Sequence, residues 1–168
     1  MKKAAGFTLT ELLIVMALVA ILVSIATPGF GALTRANRVL VAANELTNLL
    51  TYARSEALTR GLNVSVEAPG VNNWSGALKV ITASSTVTGA VETLRTFEGT
   101  GLAPNGLNST GTAARLTFRP NGTLANAFTI RLCASNDKNT PGKVLSVSQG
   151  GHIEVTDFPP TSVSTGCS

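Results

Sequence analysis

From Leu12 to Ala26 the chain carries no charge, and a single carboxylate, Glu11, stands at the head of that run. Written as a helix, Phe7 to Thr27 rises roughly 30 Å, about one bilayer hydrocarbon core. A charge at the middle of a bilayer costs roughly 2.5–3.5 kcal/mol on insertion scales. Glu11 lies little more than one turn inside the segment, so its cost is smaller. An intramembrane carboxylate still calls for a cation, and Lys3 is the last basic residue before it. The plainer alternative places Glu11 at headgroup depth, solvated.

Met1, Lys2 and Lys3 form a short basic head. Basic residues stay on the cytoplasmic side, so everything after Thr27 is expected outside. A secretory signal peptide would share the basic head and apolar core, with Ser24-Ile25-Ala26 as its small-residue cleavage site. Two features oppose it: the apolar segment opens on a carboxylate, and the helical pattern continues past that site.

Pro28 lacks an N–H for the Ser24 carbonyl and is expected to break the helix locally. The pattern then resumes. Val39, Ala42, Ala43, Leu46, Leu49, Leu50, Ala53 and Ala57 recur at spacings of three and four, one apolar stripe. Arg35, Arg38, Glu45, Asn48 and Arg54 fall mostly off it. Gly61 after Arg60 is a C-cap signal. The sequence therefore predicts one long kinked helix from Phe7 to about Arg60.

Beyond Gly61 the pattern changes to strands. Leu62, Val64 and Val66 alternate with polar residues, and Ala77 to Ile81 and Val91 to Glu98 follow as strands. Residues 99–114 are rich in Gly, Asn, Ser, Thr and Pro and read as a long loop. Arg115 to Arg119 and Phe128 to Leu132 flank Pro120-Asn121-Gly122, which predicts a hairpin. Lys143 to Ser148 and His152 to Thr156 form two more strands around a Gln149-Gly150-Gly151 turn.

The stretch Gly6-Phe7-Thr8-Leu9-Thr10-Glu11-Leu12 resembles the processing signal of type IV pilins and type II secretion pseudopilins. The resemblance implies cleavage by a prepilin peptidase between Gly6 and Phe7 and N-methylation of Phe7. It also implies that Glu11 meets the amine of a neighbouring subunit during assembly. Thr10 stands where the family usually has Ile. Later pieces are similar to the FimT/FimU minor pilins and the GspH-type minor pseudopilins. They are Tyr52-Ala53-Arg54-Ser55-Glu56-Ala57, Arg60-Gly61, Trp74, Leu116-Thr117-Phe118-Arg119-Pro120-Asn121-Gly122 and Ile130-Arg131-Leu132-Cys133.

The implied fold is α+β, a long N-terminal helix packed on antiparallel sheets. The implied parts are a leader (1–6), a membrane and assembly half-helix (7–27), an amphipathic half-helix (28–60) and a β-rich ectodomain (61–168). The implied setting is the bacterial inner membrane, single-pass with the C-terminus periplasmic. The implied partners are the peptidase, a major pilin and other minor pilins or pseudopilins. A pilus, a secretion pseudopilus and a pilus-tip DNA receptor all remain open, with the pilus subunit as the main expectation.

The formal charge of +4 falls to +2 once Lys2 and Lys3 leave with the leader, so charge alone gives no support for nucleic acid. Some FimT-like pilins grip DNA with a C-terminal Gly-Arg-x-Arg turn. The matching place here is Gly151-His152-Ile153-Glu154, which lacks both arginines. Arg115, Arg119 and Arg131 remain as weak DNA candidates if they share one face of the Asn121-Gly122 hairpin; solvated strand charges are the alternative.

Cys133 and Cys167 suit an oxidising compartment and are too far apart for a CxxC motif. A bridge between them closes about 35 residues and is worth roughly 3–4 kcal/mol in the chain-entropy model. Two buried free thiols are the alternative. With one histidine, His152, and no HExxH, P-loop or EF-hand pattern, no enzyme, metal or cofactor is expected.

Overall fold

The computed structural model describes residues 8–82, 91–99, 107–135 and 139–159, and leaves the side chains of 25–29 outside that description. Helix α1 (Leu9–Arg60) is continuous in its helical assignment. It contributes to two compact units, divided after Thr34. The helical assignment runs through Pro28, as one long helix to Arg60 requires, and the side chain of Pro28, where the local break is expected, lies outside the description. Phe7, expected as the first helical residue, lies outside the described residues.

In the unit that begins at Arg35, all eight stripe residues from Val39 to Ala57 are buried. The helix ends as the sequence predicts. Gly61 takes φ 67°, and its N–H donates to the Ala57 carbonyl at 3.0 Å. A left-handed residue at that position suits glycine, which has no Cβ to clash.

Among the described residues, eight strands form two four-stranded antiparallel sheets. The first has the order β3 (Thr93–Phe97), β2 (Leu78–Thr82), β1 (Val64–Glu67), β5 (Arg115–Phe118). The second has the order β4 (Leu107–Gly111), β6 (Phe128–Ala134), β7 (Gly142–Val147), β8 (Ile153–Phe158). Val64, Val66, Leu78, Val80, Leu116 and Phe118 from the first sheet share one core with the helix stripe. Ile130, Leu132, Leu145 and Val147 from the second join it. The expected α+β architecture is therefore present, a helix on antiparallel sheets.

Two expectations are corrected. Residues 107–111 form strand β4 rather than loop. Its buried positions are Leu107, Ser109 and Gly111, and only the first is a large apolar residue. The inward face is small because Trp74 and Ser75 occupy the space above it. Ser75 N–H donates to Ser109 Oγ at 2.8 Å, and Trp74 Nε1 donates to the Ala113 carbonyl at 2.9 Å. Trp74 meets Phe128 edge-on at 5.2 Å, a favoured aromatic geometry.

The second correction concerns the Asn121-Gly122 turn. It forms, with Arg119 N–H donating to Thr123 O and Gly122 at φ 73°. One bridge follows, Phe118 to Leu124, and then the strands part. β5 pairs with β1, whereas β6 pairs with β4 and β7. The hairpin signal marks a turn that passes the chain from one sheet to the other. Local turn chemistry sets the reversal, and burial of two apolar faces sets where each strand goes.

Candidate functional site

The amino-terminal head is built by a helix cap. Glu11 N–H donates to Thr8 Oγ1 at 3.3 Å, Leu12 N–H donates to the Thr8 carbonyl at 3.2 Å, and Thr8 and Thr10 hydroxyls meet at 3.1 Å. Thr8 is thus the N-cap and Glu11 the third helical residue, the spacing of a capping box. A carboxylate there is favoured by the helix dipole. Glu11 is exposed, and no cation among the described residues pairs with it.

Leu12, Leu13, Ile14, Val15, Met16, Leu18, Val19, Ile21, Leu22 and Val23 are all exposed, so the helix is apolar on every side. A surface of that kind requires cover by lipid or by other helices. Among the described residues no helix is long and apolar enough to cross a membrane. The described part of this run, Leu12 to Ser24, covers about 20 Å by helical rise. Phe7 and the side chains of 25–29, which belong to the span expected over 7–27, lie outside the described residues.

The three candidate arginines do not share one hairpin face. Arg115 lies on β5 of the first sheet and pairs with Glu67 across the ladder. Arg119 is exposed at the turn. Arg131 lies on β6 of the second sheet, beside Thr110, Thr112 and Thr129 in a shallow pocket of about 330 Å³. The strands that carry Arg115 and Arg131 belong to different sheets, so the arginines make no continuous cationic stripe.

The Gly150-Gly151-His152 turn forms as expected, with Gly151 N–H donating to Ser148 O at 2.9 Å. His152 and Glu154 are exposed, and Glu154 faces Ser146 across the ladder. At the place compared above with a Gly-Arg-x-Arg turn, the chain therefore presents an imidazole and a carboxylate. Arg54, which the sequence places off the apolar stripe, reaches that turn instead. Its Nε donates to Gly122 O at 3.1 Å and its Nη2 to Gly150 O at 3.1 Å. One guanidinium so ties the helix to the turn that links the two sheets and to the β7–β8 turn of the second. Only tertiary proximity reveals this role, since nothing in the local pattern distinguishes Arg54 from Arg35 or Arg38.

Cys133 is fully buried against Phe158 and is disulfide-bonded. The chain has one other cysteine, Cys167, which lies outside the described residues, as do Gly6 and Phe7. Among the described residues no group of three or more His, Cys, Asp or Glu side chains could hold a metal ion. The raised pKa of Arg60 comes first from its bond to Glu56 at 2.6 Å, an ion pair on the helix surface that keeps an already cationic group charged.

Comparison with known proteins places this geometry. Residues 42–151 match the family model for type II transport protein GspH, and residues 1–27 match the prokaryotic N-terminal methylation motif. The type IV minor pilin FimU of Pseudomonas aeruginosa is similar in structure (TM-score 0.61, 28% identity). That match covers 81% of this chain and 99% of FimU. The minor pseudopilin EpsH from the type 2 secretion system of Vibrio cholerae shares the fold (TM-score 0.54, 13% identity, 74% of this chain and 98% of EpsH). No match was found among curated proteins. The GspH match spans well over half of the chain, and the methylation motif lies ahead of it, so the chain belongs to the GspH family of minor pilin and pseudopilin subunits.

Proposed function

We propose that this chain is a minor subunit of a type IV pilus, held in the bacterial inner membrane with its C-terminal part periplasmic until it is assembled. The observation that carries this reading is the amino-terminal head. Glu11 stands in the first turn of a helix that is exposed and apolar on every side, within a matched methylation motif. Such a helix is stable only when lipid or other helices cover it. Processing between Gly6 and Phe7 by a prepilin peptidase would create an amine four residues before Glu11. That amine, methylated, is the cation the carboxylate lacks. The ectodomain then serves as a rigid head, cross-linked by Cys133 and Cys167, beside a major pilin and other minor pilins. Its role is to begin or cap the filament, and it is structural rather than enzymatic.

The pilus is favoured over the secretion pseudopilus by the FimU similarity, which is higher in identity and coverage than that to EpsH. The GspH family description favours the second reading, a pseudopilin of a secretion system. A deletion strain complemented with the wild-type gene separates them. Loss of sheared surface pili with secretion intact supports the pilus. Loss of secreted proteins with pili intact supports the pseudopilus, and a strain normal in both sinks the proposal.

A further inference from the structure

Along α1, Asn37, Leu40, Val41 and Asn44 are exposed and carry no charge. Their spacings of three and four put them on one face of the helix, turned away from the buried stripe that begins at Val39. Beside that face is a groove of about 520 Å³. Its walls are Ala36, Asn37 and Leu40 of the helix, and Pro141, Phe158 and Pro159 at the adjoining ends of β7 and β8. Leu40 is 42% exposed, and Asn37, Pro141 and Pro159 are exposed with it, so a side chain from outside can enter. Apolar walls favour an apolar occupant over water.

The charges at the rim cancel. Lys143 pairs with Asp157, which leaves no spare cation for a phosphate headgroup among the described residues that line the groove. Lipid depth also ends before it. A hydrocarbon core takes roughly 20 helical residues, so a span opening at Leu12 ends near Gly31, ahead of Ala36. The chain beyond Pro159 lies outside the described residues and contains no Leu, Ile, Met or aromatic residue to fill such a space. The matching chemistry is on α1 itself. Phe30 and Leu33 are 73% and 59% exposed, and their spacing of three makes one apolar ridge.

We infer that this groove receives the α1 helix of a neighbouring filament subunit, which inserts apolar side chains at the positions of Phe30 and Leu33 between helix and β8. The inference rests on the filament reading above and adds an ectodomain contact to it. Phe30 and Leu33 precede Ala36 in the helix. A neighbour displaced toward the C-terminal end, as it must be for its Phe7 amine to meet Glu11, carries its own ridge toward the groove. The patch that inserts differs from the patch that receives. Such a contact is heterologous, and repeated it extends a filament where a self-complementary one would close a dimer.

The test uses the full-length chain with benzoylphenylalanine in place of Leu40, crosslinked by light in cells that make pili. The expected adduct is intermolecular, and its partner peptide comes from the helix of another subunit, at the end of its apolar run. Leu40→Glu should lower the ratio of chain in sheared filaments to chain in membranes about tenfold, the weight of one large apolar side chain. Leu58→Glu, which charges another exposed leucine of α1 away from the groove, should leave that ratio unchanged. In detergent micelles both variants should keep the wild-type thermal midpoint, because both leucines are at the surface. An adduct with phospholipid, or with residues 160–168 of the same chain, overturns the inference. So does wild-type incorporation of Leu40→Glu, or a fall that Leu58→Glu shares. If Leu40→Glu also lowers the midpoint, Asn37→Glu at the mouth of the groove decides. Normal incorporation of that variant overturns the inference, and the same fall at an unchanged midpoint sustains it. Absence of the wild-type chain from filaments overturns the filament reading itself, and the inference with it.

Discussion

Arg54→Ala should cost the ectodomain far more than the loss of a surface arginine. The guanidinium makes two bonds at 3.1 Å to carbonyls in two turns, Gly122 O and Gly150 O. The Gly122 bond is part-buried, so removing its charged donor costs about 1.5–3 kcal/mol. The Gly150 bond is exposed, and water replaces it for about 0.5 kcal/mol. The expected total is about 2–3.5 kcal/mol, or roughly 6–14 °C in thermal midpoint for a domain of this size. Arg54→Lys should recover less than half, because an ammonium cannot span both carbonyls as a fork does. Urea unfolding followed by Trp74 fluorescence reads the ectodomain alone, since Trp74 is the chain's only tryptophan and is fully buried. Gly151→Ala should strike the same junction. Gly151 has φ 77°, and an added Cβ would overlap the Gly122 carbonyl oxygen and lie 2.7 Å from Arg54 Nε. The double variant should therefore lose less than the sum of the singles. A loss below about 0.5 kcal/mol for Arg54→Ala, the usual range for surface substitutions, would refute the argument.

Three further outcomes are expected. Gly111→Ala should destabilise by about 2–3 kcal/mol, because the methyl would overlap the Trp74 indole and open its bond to Ala113; a red-shifted native Trp74 emission would report it. Cys133→Ser should lower stability by about 2–4 kcal/mol, and dithiothreitol should bring the wild type to the same level. Duplex DNA should bind the full chain in detergent only at non-specific strength, with affinity falling steeply as salt rises; a sub-micromolar mobility shift at physiological salt would contradict this.

The helix was legible because its signals are local. Spacings of three and four predicted the buried stripe from Val39 to Ala57, and Gly61 its end. Most strands were legible for the same reason, through alternation. What escaped was non-local. β4 is written as Leu-Asn-Ser-Thr-Gly, and its small inward residues make sense only beneath Trp74, more than 30 residues earlier in the chain. The Asn121-Gly122 turn announced a reversal and could not say that its two strands enter different sheets. The candidate site divides in the same way. The apolar run after Glu11 needs no structure to be seen, whereas the cap that Thr8 makes with Glu11 was not read from the sequence, which began the helix at Phe7. Arg54 and Glu45 look alike in sequence, as charges beside a stripe. One is satisfied by turns 68 and 96 residues away, and the other keeps a buried oxygen with no donor among the described residues.

The central claim is that Glu11 is the assembly carboxylate. In the waiting subunit it can pair with the amine of its own Phe7, four residues away on the same face. In a filament, axial stacking would let it meet the amine of the next subunit, and an unpaired charge in the apolar bundle costs several kcal/mol. The direct measurement is the quantity of Glu11→Ala in sheared filaments, divided by its quantity in membranes, against the same ratio for wild type and Glu11→Asp. The account predicts normal membrane insertion and cleavage for the alanine variant, a sharply lowered ratio, and partial recovery with aspartate. A terminal subunit that makes the contact on one side only would show the smaller drop. An alanine variant that enters filaments at the wild-type ratio would contradict the account and leave Glu11 a solvated headgroup charge.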